Sequence, residues 1–203
     1  MGPDAIHSTF LIQHWLYLQI AQLRTIPHPM YQKAFTFLSR IFSVATIFKF
    51  GFNWSPMYRR STGRVKTVSP DCKRVEVQIP HSWKNVNYVG SIFGGSMLSA
   101  TDPIMMIQLI QILGDDYVVW DKSVTMRFKR PARERLYVVF EFSDAELDEI
   151  RSAADANGEV DWEKELELKT KDGLVCAVAS KTLYIATKAH YKAKRAKKKE
   201  ATA

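Results

Sequence analysis

The 203-residue sequence predicts an α+β fold: an antiparallel sheet wrapped around one long central helix, with an N-terminal helical extension ahead of it. Three observations lead there. Residues 85–114 carry one charged side chain, Asp102, and between 104 and 113 only Gln108 and Gln111 interrupt an apolar run. A segment apolar on nearly every side is enclosed by its fold rather than laid on a surface. About six strand-like runs, joined by tight-turn residues, flank that segment. Residues 31–48 alternate as a strong amphipathic helix, with Phe35, Leu38, Phe42 and Ala45 on one half and Lys33, Thr36, Arg40 and Ser43 on the other.

Taken in order, residues 5–23 lack Lys, Arg, Asp and Glu. Scattered His, Gln, Ser and Thr argue against a membrane span. No basic leader precedes the run and no cleavage site follows, which argues against a secretory signal. The reading is a cytoplasmic protein; an acid-poor N-terminus leaves a mitochondrial presequence as the alternative. The apolar face of 31–48 would contribute ~1.5–3 kcal/mol per large residue on burial. It packs on the body, on a second subunit or on a membrane surface. Gly51 and Pro56 mark a turn into the body. Strands are expected at 64–68 and 74–79, the second with Val75, Val77 and Ile79 alternating against Arg74, Glu76 and Gln78. After the central helix come strands near 117–129 and 136–142, separated by Pro131. Ser143 and Glu146 form a capping box for a surface helix ending near Gly158. Strands at 162–169 and 174–185 are joined by the Lys171-Asp172-Gly173 hairpin. The domains read 1–52 extension, 53–187 body and 188–203 basic disordered tail.

The central helix begins at Gly94-Gly95, where unshielded N–H groups and the helix dipole favour negative charge. Pro103 predicts a kink, and Gly114 predicts the stop. A lone carboxylate in such a segment, Asp102, is costly unless partnered. It is either a functional group or a hydrogen-bonded residue at a helix break.

Charge is unevenly placed. Residues 1–70 hold eight Lys and Arg against Asp4 alone, and residues 188–203 hold seven against Glu200. The stretch between them is net acidic, which argues against a nucleic-acid-binding core. The basic ends leave open contact with anionic lipid, acyl-carrier protein or nucleic acid, with no specific nucleic-acid partner expected and a peripheral membrane contact through 31–48 and the tail as a further expectation. Cys72 and Cys176 provide neither a disulfide framework nor a metal site. No dinucleotide fingerprint, phosphate loop, zinc-protease helix or nucleophile elbow occurs. His81 reads as a loop residue, and Ser96 as a helix-start residue with no base nearby.

Asn87, six residues, Gly94-Gly95 and then Asp102 in the following helix form a pattern that resembles hot-dog-fold thioesterases of the phenylacetate-pathway type. The usual His before the two glycines is Phe93 here. The FGGS form, with NWSP upstream and a DKS strand downstream, looks most like a less characterised branch grouped largely under domains of unknown function. The resemblance covers residues 53–187. It implies an acyl thioesterase acting on acyl-coenzyme A or acyl-carrier protein, with no cofactor beyond the coenzyme A or phosphopantetheine of the substrate. Asp102 would be the base or nucleophile, Gly94 and Gly95 the oxyanion donors, and Asn87 a holder of water or carbonyl. Phe93, Asp121, Arg127, Lys129 and Arg130 complete the expected substrate-binding set, the cations facing phosphates, with a solvated basic turn as the alternative. The base and the oxyanion donor of such families meet across a dimer interface, so a homodimer or a dimer of dimers is expected. A non-catalytic acyl-binding domain is the rival expectation, motivated by Phe93.

Overall fold

The computed structural model describes residues 41–201. The runs at 5–23 and 31–40 therefore lie outside the described residues. Residues from Ser43 onward form one unit.

Helix α1 (Val44–Trp54) starts at Ser43, whose hydroxyl accepts from Thr46 N. Gly51 lies inside α1 rather than in a turn. The chain turns at Ser55, and α2 (Pro56–Arg60) begins with a proline where a missing N–H costs nothing. Helix α1 thus crosses the 52/53 boundary read from sequence, and its Phe48 belongs to the core.

The strands are β1 (Arg64–Val68), β2 (Arg74–Ile79), β3 (Tyr117–Phe128), β4 (Leu136–Glu141), β5 (Glu159–Lys169) and β6 (Val175–Thr187). They form one antiparallel sheet in the order β1-β2-β4-β5-β6-β3. The period-two pattern sets which face is buried. Val75, Val77 and Ile79 of β2 and Leu136, Val138 and Phe140 of β4 are buried, and they join Leu183 and Ile185 of β6 in the core. That core closes on the central segment, which is two helices, α3 (Gly94–Thr101) and α4 (Ile104–Leu113). By length and composition the pair would pass for a membrane span. Here Ile104, Met105 and Leu109 are core residues. The expected kink falls at Asp102-Pro103, and Gly114 (φ 77°) ends α4.

The capping box is present: Ser143 Oγ accepts from Glu146 N, and Glu146 accepts from Ser143 N. It opens α5 (Asp144–Asn157), whose Leu147 and Ile150 are buried, and left-handed Gly158 closes it. The tail departs from the expected disorder. Residues 188–200 form α6 (Lys188–Glu200), capped by the Thr187 hydroxyl, which accepts from His190 N. Its Lys194 Nζ donates to Glu159 Oε2 at 2.5 Å, and Tyr184 Oη donates to the same oxygen at 2.5 Å. Composition favoured solvation, but these contacts to a strand tie the helix to the sheet.

Candidate functional site

The break between α3 and α4 creates the chemistry here. Pro103 has no N–H to donate to the Ser99 carbonyl, and beside this break the Asp102 carbonyl oxygen accepts from Lys181 Nζ of β6. At the other end of α3, neither Gly94 N nor Gly95 N donates a hydrogen bond among the described residues. Two aromatic rings crowd both positions. A Cβ on Gly95 would lie 2.3 Å from the Phe93 ring, and one on Gly94 would lie 2.6 Å from the Phe128 ring.

Seven residues separate Gly95 from Asp102, two turns, so both lie on one helix face. They line a groove of about 650 Å³ together with Phe93, Leu98, Ser99 and Val124. Gly94 falls on the next face. It lines a second cavity, of about 370 Å³, with Asn87, Lys129, Arg130 and Phe128. Within one chain the expected residues therefore divide between two grooves flanking the start of α3.

Other expected residues are placed differently. The Asn87 amide is spent on its own loop: Nδ2 donates to Ser91 Oγ at 2.9 Å, and Oδ1 accepts from Ser91 N at 3.0 Å and Val89 N at 3.2 Å. Its neighbour Asn85 is the buried amide, accepting from Ser82 N and donating to Thr62 Oγ1 and Pro80 O. Arg127 pairs with Glu165 of β5 and does not join Lys129 and Arg130. Arg130 Nη1 donates to Val175 O at 3.0 Å, which fixes the turn after β3.

The enclosed carboxylate is Asp121, not Asp102. The Asp102 side chain is 52% exposed, whereas that of Asp121 is 22% exposed and that of Lys181 is fully buried. Lys181 Nζ lies 2.8 Å from Asp121 Oδ1 and 3.7 Å from Asp102 Oδ1. The first contact is a close ion pair to a buried carboxylate oxygen. Burial pushes the Asp121 carboxyl above its usual range, the Asp102 charge adds to this, and Lys181 opposes it. One ammonium thus joins both carboxylates to the helix break.

Sequence reasoning missed Lys181, although a lysine inside the apolar run of β6 is a legible anomaly. It also missed Tyr58, whose buried hydroxyl donates to Ala100 O at 2.9 Å and ties α2 to α3. No local signal marks that contact, which spans 42 residues.

A six-stranded antiparallel sheet wrapped around one central helix is the hot-dog fold. The chain belongs to the family described as "Domain of unknown function (DUF4442)", whose model matches residues 39–185. Among solved structures it is similar to PA5026 from Pseudomonas aeruginosa, described as a protein of unknown function and "Probable Thioesterase" (TM-score 0.62, 20% identity, 70% of this chain and 95% of that one). It is also similar to OLEI01261 from Chlorobaculum tepidum, of unknown function (TM-score 0.57, 14% identity, 71% and 98% coverage). A third is thioesterase HI1161 from Haemophilus influenzae (TM-score 0.50, 12% identity, 68% and 87% coverage). At these identities the likeness concerns the fold. No curated protein matches the chain by sequence.

Proposed function

We propose that this protein is an acyl thioesterase acting on acyl-coenzyme A or acyl-carrier-protein thioesters. The observation that carries the reading is the combination of the Gly94 and Gly95 N–H groups at the start of α3, unpaired among the described residues, with Asp102 at its end; about 10 Å of helix separates them, so one carbonyl would meet the N–H of one chain and the carboxylate of a second. Asp102 accepts a proton from water as the water oxygen bonds to the thioester carbon. The carbonyl oxygen gains charge and is held by an unpaired N–H at the start of α3. The C–S bond then breaks, and the sulfur leaves as a thiol after receiving the proton. The products are a carboxylic acid and a thiol.

The division of Gly94 and Asp102 between two grooves supports a two-chain site. Among the described residues β3, of 12 residues, is an edge strand with no strand paired on its outer side. Pairing two such edges in a homodimer would bring the start of one α3 towards the other chain's groove. The test is thiol release from a panel of acyl-coenzyme A substrates by the full chain and by Asp102→Asn. Turnover that drops by orders of magnitude in a folded variant supports the mechanism; equal turnover overturns it.

A second reading is a non-catalytic acyl-binding domain. The Phe93 ring over Gly95 favours it, because the ring occupies space next to the oxyanion donor. Bound acyl-coenzyme A recovered intact after long incubation supports this reading.

A further inference from the structure

Four cations stand beside the Asp102 groove without a counter-charge among the described residues. Arg59, Arg60, Arg64 and Lys84 line a groove of about 340 Å³ in which no Asp or Glu takes part. None of the four makes an ion pair among the described residues. Other cations, among them Lys129, Arg130, Arg133 and Arg135, also make no ion pair among the described residues; what sets these four apart is that they line one groove. Four like charges held together repel one another, so the arrangement favours an anion between them.

The cluster is built rather than incidental. Arg59 and Arg60 end α2, which Tyr58 bolts to α3 through Ala100 O. Gly63 allows the close approach: a Cβ there would lie 2.9 Å from Ala100 Cβ and from Tyr58 Oη. The Lys84 loop is tied to the same segment by Asn85, whose Nδ2 donates to Thr62 Oγ1 and Pro80 O, each at 2.7 Å. Thr62 is held at φ 66°, a left-handed conformation uncommon for a β-branched residue. The Tyr58 and Gly63 contacts lead to α3, the helix capped by Asp102, and Asn85 ties the Lys84 loop to Thr62 beside them.

Arg60 and Lys84 line both this groove and the Asp102 groove. We infer that Arg59, Arg60, Arg64 and Lys84 form the phosphate-binding subsite for the thiol carrier, with the thioester end directed along the adjoining groove to Asp102. The ligand chemistry is an organic phosphate on a pantetheine arm. Guanidinium groups suit it, because they donate paired hydrogen bonds to phosphate oxygens. The role assigned to this subsite rests on the thioesterase reading; the phosphate binding does not.

The test is calorimetric titration of coenzyme A, 4′-phosphopantetheine and pantetheine into the full chain, the R59Q/R60Q/R64Q/K84Q variant and a K192Q/K199Q control on α6. The preference of the wild-type protein for coenzyme A over pantetheine should shrink roughly tenfold or more in the four-site variant and persist in the control. If phosphopantetheine already shows the whole preference, the bound group is the 4′-phosphate that coenzyme A and a carrier protein's prosthetic group share. If only coenzyme A shows it, the nucleotide phosphates are bound. An unchanged preference in the four-site variant, an equal loss in the α6 control, or no wild-type preference overturns the inference. Because binding needs no turnover, a protein that binds phosphate here but hydrolyses no thioester refutes the thioesterase reading alone.

Discussion

Lys181 Nζ stands 2.8 Å from Asp121 Oδ1, an ammonium from β6 and a carboxylate from β3 drawn together beneath the break between α3 and α4. Burial makes this pair asymmetric to perturb. Lys181→Met leaves Asp121 enclosed without its cation and should cost about 3 kcal/mol in urea unfolding. The K181M/D121N double variant should recover part of that loss. An additive double-variant cycle would show that the two groups are not coupled.

The Asp121 carboxyl also predicts a pH dependence. Its folded-state value is raised by burial, so the folded chain holds this proton more tightly than the unfolded chain does. The stabilisation is complete below the ordinary unfolded Asp value and is lost as pH rises through the folded value. In Asp121→Asn this component of the stability profile should disappear. Coincident slopes for variant and wild type in acid would refute it.

Glu159 works in the opposite sense. Hydrogen bonds from Lys194 and Tyr184 pull its carboxyl from 4.5 down to about 2. Its stabilising contribution is present above 4.5 and is lost as pH falls towards 2. The backbone amides of α6 should therefore lose hydrogen-exchange protection in that acidic window before the core does. Glu159→Gln should show the loosened helix at neutral pH.

Tyr58→Phe removes one buried hydrogen bond and should cost about 1 kcal/mol. Gly63→Ala places a methyl against Ala100 and the Tyr58 hydroxyl and should cost about 1–3 kcal/mol. Both changes loosen α2 against α3, so both should weaken coenzyme A binding beyond their effect on melting temperature. Full affinity in a destabilised Gly63→Ala protein would separate the groove from this joint.

The two asparagines give a further contrast. Asn85→Ala leaves Thr62, Pro80 and Ser82 without partners in a buried setting and should destabilise by about 2–3 kcal/mol. Asn87→Ala removes bonds confined to its own exposed loop and should cost about 1 kcal/mol or less. Equal losses on thermal unfolding would contradict this ranking.

The chain's local patterns determined much of this. Alternation placed β2, the Ser143 capping box placed α5, Pro103 placed the break and Gly114 the stop, because each depends on neighbours within one or two turns. Local pattern failed where a distant partner decides the outcome. Residues 188–200 are a lysine-rich run that composition assigns to solvent, and Glu159 of β5 makes them a docked helix. Asp102 was read as the enclosed carboxylate, yet the packing of β3 on β6 buries Asp121 against Lys181 and leaves Asp102 half exposed. Asn87 matches the motif, but its amide is satisfied by its own loop, while Asn85 joins segments 23 residues apart. Periodicity reports which face of an element is apolar, and the sequence by itself determined that. Which charges meet beneath that face depends on strand order and register, and only the tertiary structure decided it, because desolvation and ion pairing are properties of the assembled neighbourhood.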